Sequence, residues 1–202
     1  MIAEGKKLRT ELALITEWIK PNSHVLDLGC GDGTLLSHLR ESRQTTGYGI
    51  EIDHHEIVQC IELGVNVIQA DLNHGLEDFK EDTFDYVIMT LALQAIQRPD
   101  ILLRDMLRIG REVIVTFPNF GHWAARMHLL AGRMPISRAL PNEWYNTANI
   151  HLCSMKDFEH LCAQLDVKIL QCAAVDTAHR STPAMKRFPN LMGEVAVYRL
   201  QK

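Results

Sequence analysis

The sequence lacks a long apolar run, although 47% of its 202 residues are hydrophobic. A membrane-spanning helix needs about 20 consecutive apolar residues, so the sequence predicts no membrane segment. Residues 1–7 carry charges and lead into an amphipathic stretch, whereas a secretory signal continues into an unbroken apolar segment. These absences predict a soluble protein of the cytoplasm, and the length predicts one domain with a sizeable core.

Cysteine is scarce and shows no pairing pattern: the chain has five cysteines and no C-x-x-C pair. An odd number without close pairs favours free thiols over a disulfide framework. Ten histidines are present, but the pairs His54 with His55 and His122 with His128 lack the ligand spacing of known zinc motifs. The sequence therefore predicts no metal centre.

An excess of basic residues is also absent, because the formal net charge is −4. Nucleic-acid binders normally carry a surplus of Lys and Arg, so general nucleic-acid binding is not expected. Arginines outnumber acids only locally, which fits an anionic small molecule, an acidic partner surface or, as the plain alternative, solvated helix faces. These arginines are Arg98, Arg104, Arg108, Arg111, Arg126, Arg133 and Arg138.

A glycine-rich turn, Gly29-Cys30-Gly31-Asp32-Gly33, directly follows an apolar run at residues 25–28. Alternate glycines allow a tight turn and close approach of a ligand to the backbone. Dinucleotide sites have the spacing G-x-G-x-x-G, whereas the spacing here is G-x-G-x-G. With Asp27 two residues before the first glycine, the turn resembles motif I of class I S-adenosylmethionine-dependent methyltransferases.

Acidic residues end the next two apolar runs. Glu51 follows residues 46–50, and a carboxylate at that strand end can accept hydrogen bonds from both hydroxyls of a ribose. Asp53 is the reserve candidate. Asp71 follows the run at 65–70 and resembles the adenine-contacting position of the methyltransferases. The alternative is that Glu51 and Asp71 only cap the helices that follow them.

Strand-like and helix-like patterns alternate along most of the chain, which predicts right-handed βαβ crossovers and a mainly parallel sheet. An amphipathic helix that begins near Leu8 and ends before Pro21 precedes them. The last two strands have no predicted helix between them and are expected to pair antiparallel at the sheet edge. Strands are predicted near 24–28, 46–51, 65–70, 84–89, 112–117, 167–174 and 194–200, and helices from about 33, at 54–62, after Pro99 and at 154–164.

A long insertion, at about 118–153, follows the fifth predicted strand. Long connections at a carboxyl edge of a sheet are commonly functional. Trp123, Met127, Leu129 and Leu130 predict a short helix that closes a cofactor pocket or meets a partner. The alternative is that these side chains only fill core under the loop.

Residues for methyl-transfer chemistry are few. The stretch after the fourth strand offers only Thr90 and Gln94, in place of the polar motif of amine, amide and base methylases. A hydroxyl acceptor would need a general base, for which His122, His151 and Glu143 are the candidates. No G-x-S-x-G motif occurs, so the chain is not expected to be a hydrolase or acyltransferase itself.

Five blocks together resemble the methionine biosynthesis protein MetW family over nearly the whole chain. Many methyltransferases share the first three, whereas the Phe-Pro-Asn and Asn-Ile-His blocks are far more specific. The blocks are residues 25–33, 49–53, 69–72, 117–123 and 146–151.

The resemblance implies an α/β fold, Rossmann-like and of the class I methyltransferase type. Its seven-stranded sheet is mostly parallel with an antiparallel last strand, and helices cover both faces. We expect residues 1–202 to form a single methyltransferase-like domain that includes the insertion. The implied cofactor is S-adenosylmethionine or S-adenosylhomocysteine. The residues at matching cofactor positions are Asp27, Gly29, Cys30, Gly31, Gly33, Glu51, Ile52, Asp71 and Leu72.

The resemblance also implies a bacterial cytoplasmic protein of methionine synthesis. The resemblance implies that the protein binds homoserine O-acyltransferase, an α/β-hydrolase enzyme, and activates it. The implied role is therefore accessory. An active class I methyltransferase on an unidentified small molecule is the alternative, because the cofactor half of the pattern is intact.

Overall fold

The computed structural model describes residues 10–137, 139–176 and 182–202. Residues 1–7, Leu8 and Arg138, which the sequence predictions include, lie outside these ranges. The strands are β1 (His24–Leu28), β2 (Thr46–Glu51), β3 (Val67–Gln69), β4 (Phe84–Thr90), β5 (Gly110–Pro118), β6 (Lys168–Val175) and β7 (Val195–Gln201). The helices are α1 (Thr10–Trp18), α2 (Thr34–Arg43), α3 (His54–Glu62), α4 (Pro99–Ile109), α5 (Trp123–Leu130), α6 (Met155–Gln164), α7 (Pro183–Arg187) and α8 (Pro189–Met192).

The strands form one seven-stranded sheet in the order β3-β2-β1-β4-β5-β7-β6. Strands β1 to β5 pair in parallel, and β7 pairs antiparallel with both β5 and β6. The strand order reverses direction at β1, whose neighbours are β2 and β4. This topology is the class I methyltransferase fold that the sequence predicted, with its antiparallel last strand.

Side chains alternate between two cores, one on each face of the sheet. Val25 of β1 packs with Ile15 of α1 and Leu39 of α2 on one face. The next residue, Leu26, packs in the other core, which includes Leu103 of α4. Helices therefore cover both faces, and the carboxyl ends of the parallel strands are left to the connecting loops.

The connection between β6 and β7 corrects one prediction. The sequence indicated a loop, but α7 and α8 lie there, with five and four residues. Each begins with a proline at its first turn, where the missing N–H is not needed. Helices this short show no apolar periodicity, so only Pro183 and Pro189 could have indicated them.

No helix among the described residues is both long and apolar enough to cross a membrane. The same residues contain no group of three or more histidine, cysteine, aspartate or glutamate side chains placed to hold a metal ion. All five cysteines are free thiols.

Candidate functional site

The carboxyl ends of β1, β2 and β3 meet at one edge of the sheet. Leu28 pairs with Ile50, and Glu51 pairs with Gln69, so the three strands end at neighbouring positions. Because the strands are parallel, the glycine turn, Glu51 and Asp71 all lie just beyond the same edge of the sheet. Ligands of open α/β sheets bind at such an edge, next to the point where the strand order reverses.

The glycine turn is anchored to β2 by its backbone. The N–H groups of Gly29 and Cys30 both donate to the Ile50 carbonyl, at 2.8 and 3.1 Å. Gly29, Gly31 and Gly33 have φ values of +68°, +53° and +75°, in the left-handed region that favours glycine. A Cβ on Gly31 would meet nothing nearer than Glu56 Oε2, at 3.9 Å. The turn thus has open space for a ligand at Gly31.

Glu51 already binds three backbone N–H groups. Its Oε2 accepts from Gly31 at 2.9 Å, and its Oε1 accepts from Ile52 at 2.8 Å and Asp53 at 2.9 Å. A carboxylate offers about four lone-pair positions, so about one is left for a ligand. A ribose diol that occupied both oxygens would therefore have to displace one of these backbone donors.

Two of the acidic residues act as helix caps. Asp53 accepts a hydrogen bond from His55 N at 2.8 Å and caps α3. Asp71 accepts from Asn73 N at 2.9 Å and caps a 3-10 turn, and this contact is the main reason its pKa lies below its usual range. Capping uses Asp71 Oδ1 and does not exclude a ligand contact, whereas Glu51 is not the cap of a helix.

Apolar surface adjoins these acids. The side chain of Ile52 is 59% exposed, which is unusual for isoleucine at the end of a sheet strand. A cavity of about 280 Å³ at this edge of the sheet is lined by residues that include Ile68, Asp71 and Leu72. An apolar recess with a carboxylate on its wall suits a flat heterocycle such as adenine.

Asp27 and Cys30 point into the protein. Asp27 is buried. Burial of the Cys30 thiol raises its pKa, and the Asp27 carboxylate raises it further. Cys30 Sγ packs against Gly49 of β2, because a Cβ on Gly49 would lie 2.3 Å from the sulfur. The Cys30 N–H donates to Ile50 and its C=O accepts from Gly33, so the Cys30 backbone shapes the turn.

The sequence did not indicate Cys60 of α3, which contacts the glycine turn. Its Sγ donates to the Gly31 carbonyl at 3.1 Å and lies 3.8 Å from Cys30 Sγ. A Cβ on Gly33 would come within 2.9 Å of the same sulfur. Nothing in the local spacing links residues 29 positions apart, so only the packing of α3 reveals this contact.

Asn119, in the specific Phe-Pro-Asn block, fastens the insertion to the fold. Its Oδ1 accepts from Gly121 N and Met155 N, at 3.0 and 3.2 Å. Its Nδ2 donates to the carbonyls of Asn190 and Gly193, at 3.0 and 2.8 Å. All polar positions of this buried amide are therefore in use, and its role is structural.

The Asn-Ile-His block is fastened to the segment after β4. The Gln94 carbonyl accepts from the N–H groups of Ile150 and His151, both at 2.9 Å. The His151 ring lies 3.0 Å, Nε2 to oxygen, from the Gln97 carbonyl. Gln94 Nε2 donates to Pro118, while its buried Oε1 has no hydrogen-bond partner among the described residues.

The general-base candidates lie in three different settings. His122 is buried beside Trp123, with ring centroids 5.6 Å apart, and burial lowers its pKa. The His151 ring contacts a backbone carbonyl, and Glu143 lies on an exposed loop. Thr90 ends β4 and pairs with Thr116 in the sheet.

Three of the seven arginines of this segment form ion pairs within the fold. Arg98 binds Asp100, Arg108 binds Asp105, and Arg111 binds Asp85. Each of the three contacts a different acid, so they do not form a single anion site. Arg126 and Arg133 of the insertion are exposed.

The comparison that decides the family is a match to the model described as methionine biosynthesis protein MetW, over residues 9–200. The chain belongs to the MetW family. A curated relative, the bifunctional methionine biosynthesis protein MetXA/MetW of Rhodopirellula baltica, is 38% identical over 91% of this chain. The match spans 31% of that relative, so the chain corresponds to about a third of its length.

Two further comparisons show more distant similarity. Norajmaline N-methyltransferase of Rauvolfia serpentina is 24% identical over 89% of this chain and 62% of its own length. Among solved structures, an S-adenosylmethionine-dependent methyltransferase from Mesorhizobium loti superposes with a TM-score of 0.71 at 15% identity, covering 97% and 99% of the two chains. This MetW-family chain therefore has the fold of S-adenosylmethionine-dependent methyltransferases.

Proposed function

We propose that the chain binds S-adenosylmethionine or S-adenosylhomocysteine at the carboxyl ends of β1, β2 and β3. The open space at Gly31 admits the amino-acid part of the ligand close to the backbone. Glu51 accepts hydrogen bonds from the ribose, with release of one backbone donor. Ile52, Asp71 and Leu72 surround the adenine. When bound, the cofactor supplies an activated methyl group, and the residues named here bind and orient it.

We further propose that the protein is a cytoplasmic accessory of methionine synthesis that binds and activates homoserine O-acyltransferase. The observation that carries this proposal is the Rhodopirellula relative, a single chain named for both MetXA and MetW. Fusion holds two modules at high effective concentration, which favours modules that act in contact. The part of that relative outside the match, about two thirds of its length, is long enough for a complete second enzyme.

The insertion supports a binding role. The hydrogen bonds of the Asn119 side chain and of the Gln94 carbonyl hold the insertion in place. The two histidines considered as general bases lie against protein groups, one buried and one on a carbonyl oxygen. These contacts favour a fixed binding surface at the carboxyl edge over a catalytic acid–base pair.

Co-production of the chain with homoserine O-acyltransferase of the same organism tests the accessory role. The acyltransferase produced alone is the reference, and both preparations are assayed with homoserine and with acetyl or succinyl coenzyme A. A complex that survives size exclusion, with a raised acylation rate, is the expected result. Separate elution with equal rates in both preparations would refute the proposal.

An active methyltransferase is the second candidate. The similarity to norajmaline N-methyltransferase supports it, and so does Gln94 Oε1, a buried acceptor with no partner among the described residues. A ligand N–H or O–H beside the segment after β4 would satisfy that oxygen. Transfer of labelled methyl from S-adenosylmethionine to a cell-extract component, lost in Gln94→Leu, would establish this activity. A blank across extracts from several growth conditions would remove it.

A further inference from the structure

Helix α5 turns its apolar side to the solvent. Trp123, Met127 and Leu130 are spaced by four and three residues, so they share one face. Their side chains are 50%, 55% and 81% exposed, and Ala125, on the opposite face, is buried. A surface helix normally buries its apolar stripe, so α5 is oriented for contact with something outside the described chain.

The exposure extends through the insertion. Of 19 large hydrophobic side chains exposed among the described residues, ten lie between positions 123 and 152. Scattered single exposures are normal, but such concentration in one segment marks an interaction surface. Trp and Met are also side-chain types that are enriched at protein interfaces.

The base of this surface is held firmly. The N–H of Gly121, two residues before α5, donates to the buried Asn119 amide at 3.0 Å. Arg126 Nε donates back to the Gly121 carbonyl at 2.7 Å, which ties the middle of α5 to the same turn. A docking helix that is already ordered loses little conformational entropy on binding.

The charge of the segment indicates which kind of partner it fits. Residues 119–153 contain three arginines and one glutamate, a net charge of +2, in a chain whose total is −4. In a two-fold symmetric dimer the same patch would face itself and bring like charges together. A second copy of this chain is therefore disfavoured, and a partner with an apolar centre and an acidic rim is favoured.

We propose that the exposed face of α5, formed by Trp123, Met127 and Leu130, is the surface that docks homoserine O-acyltransferase. Arg133, three residues beyond the helix, supplies positive charge at its rim. This inference rests on the proposed accessory role and specifies where the partner binds. The matching surface of the acyltransferase is apolar with carboxylates around it.

Single charge substitutions on the exposed face test the proposal. Leu130→Glu and Met127→Glu put a carboxylate into the apolar contact and should weaken binding of the purified acyltransferase at least about tenfold. Ile61→Glu is the matched control, because Ile61 is 65% exposed on α3. It should leave binding within about twofold of the wild type. Thermal unfolding and S-adenosylmethionine titration confirm that each variant is folded.

Arg133→Glu tests the charge component independently of the apolar contact. It should slow association and reduce the dependence of binding on salt, since rim charges act mainly through the on-rate. Binding of the α5 variants as tight as that of the wild type would overturn the proposed surface while leaving the accessory role intact. A wild type that neither binds nor activates the acyltransferase would overturn both proposals. A self-dimer that Leu130→Glu dissociates would assign the face to a second copy and overturn the proposed occupant.

Discussion

The backbone N–H of Gly31 donates a hydrogen bond to Glu51 Oε2 at 2.9 Å. This contact joins the glycine turn after β1 to the acid at the end of β2. The two residues that are proposed to bind different parts of one ligand therefore also fix each other before the ligand arrives. Pre-formed contacts of this kind reduce the entropy lost on binding.

Glu51→Gln should weaken S-adenosylmethionine binding about tenfold or more, because hydrogen bonds to a charged acceptor contribute about 1.5–3 kcal/mol. The amide also places an NH2 group against backbone donors, which disturbs the turn. Calorimetric titration measures the change. Glu62→Gln, an exposed change at the end of α3, is the control and should bind as the wild type does. Equal affinities for all three proteins would contradict the role of Glu51.

Gly33→Ala should destabilise the fold more than Gly132→Ala does. Both glycines have similar positive φ values, +75° and +73°, so the backbone strain is nearly equal. A Cβ at position 33 lies 2.9 Å from Cys60 Sγ, whereas nothing lies within 4 Å at position 132. We expect a loss of about 3 kcal/mol against about 1 kcal/mol in denaturant unfolding.

A double-mutant cycle identifies the cause of that difference. Adding Cys60→Ala removes the sulfur that the new Cβ would meet, so the double variant should be more stable than the sum of the single effects predicts. Strict additivity would show that the Cys60 sulfur contributes nothing to the cost at Gly33, which would then come from backbone strain and the Val65 contact at 3.3 Å.

Asn119→Ala should destabilise the fold by about 3 kcal/mol, because it removes the acceptor of the Gly121 N–H and the donor to the carbonyls of Asn190 and Gly193. The Met155 N–H keeps its second acceptor, Asn190 Oδ1. The Asn119 side chain is 3% exposed, so water cannot fully replace it. Asn142→Ala, on an exposed part of the insertion, is the control and should change stability little. Chemical denaturation compares the two variants, and equal midpoints would refute the structural role of Asn119.

Stability should fall as the pH drops through the range just below 6.5. Burial lowers the pKa of His122 in the folded protein below 6.5, and the nearby Glu194 carboxylate opposes this only in part. In that range the unfolded chain binds more protons than the folded one, so unfolding becomes easier as the pH falls. His122→Gln should remove part of this slope. His54→Gln, at an exposed position, should retain it, and identical pH profiles for the two variants would exclude His122 as the source.

Regular elements were predictable because their signals are local. The strand bounds at 24–28 and 46–51 and the helix at 54–62 agree with β1, β2 and α3, since apolar runs and an Asp53 cap define them. The predicted short helix in the insertion is α5. The third strand is shorter than predicted, Val67–Gln69, since the N–H of Val65 donates to the Cys60 carbonyl of α3 and not to β2.

Contacts between distant residues were not predictable from one sequence. The support of Gly31 by Cys60, and the use of Asn119 to join β5 to the start of α6, depend on how the elements pack. The solvent-facing stripe of α5 is another case, since an apolar pattern at helical spacing normally indicates core. The sequence offered core filling and partner contact as alternatives, and exposure of Leu130 supports the second.

The most direct test of the accessory role is the rate of homoserine acylation measured as this chain is added to a fixed amount of purified acyltransferase. We expect a rate that rises and saturates near a fixed stoichiometry, with the curve displaced to higher concentration by Leu130→Glu and unchanged by Ile61→Glu. A rate that stays at the level of the acyltransferase alone at every concentration of the wild-type chain would contradict it.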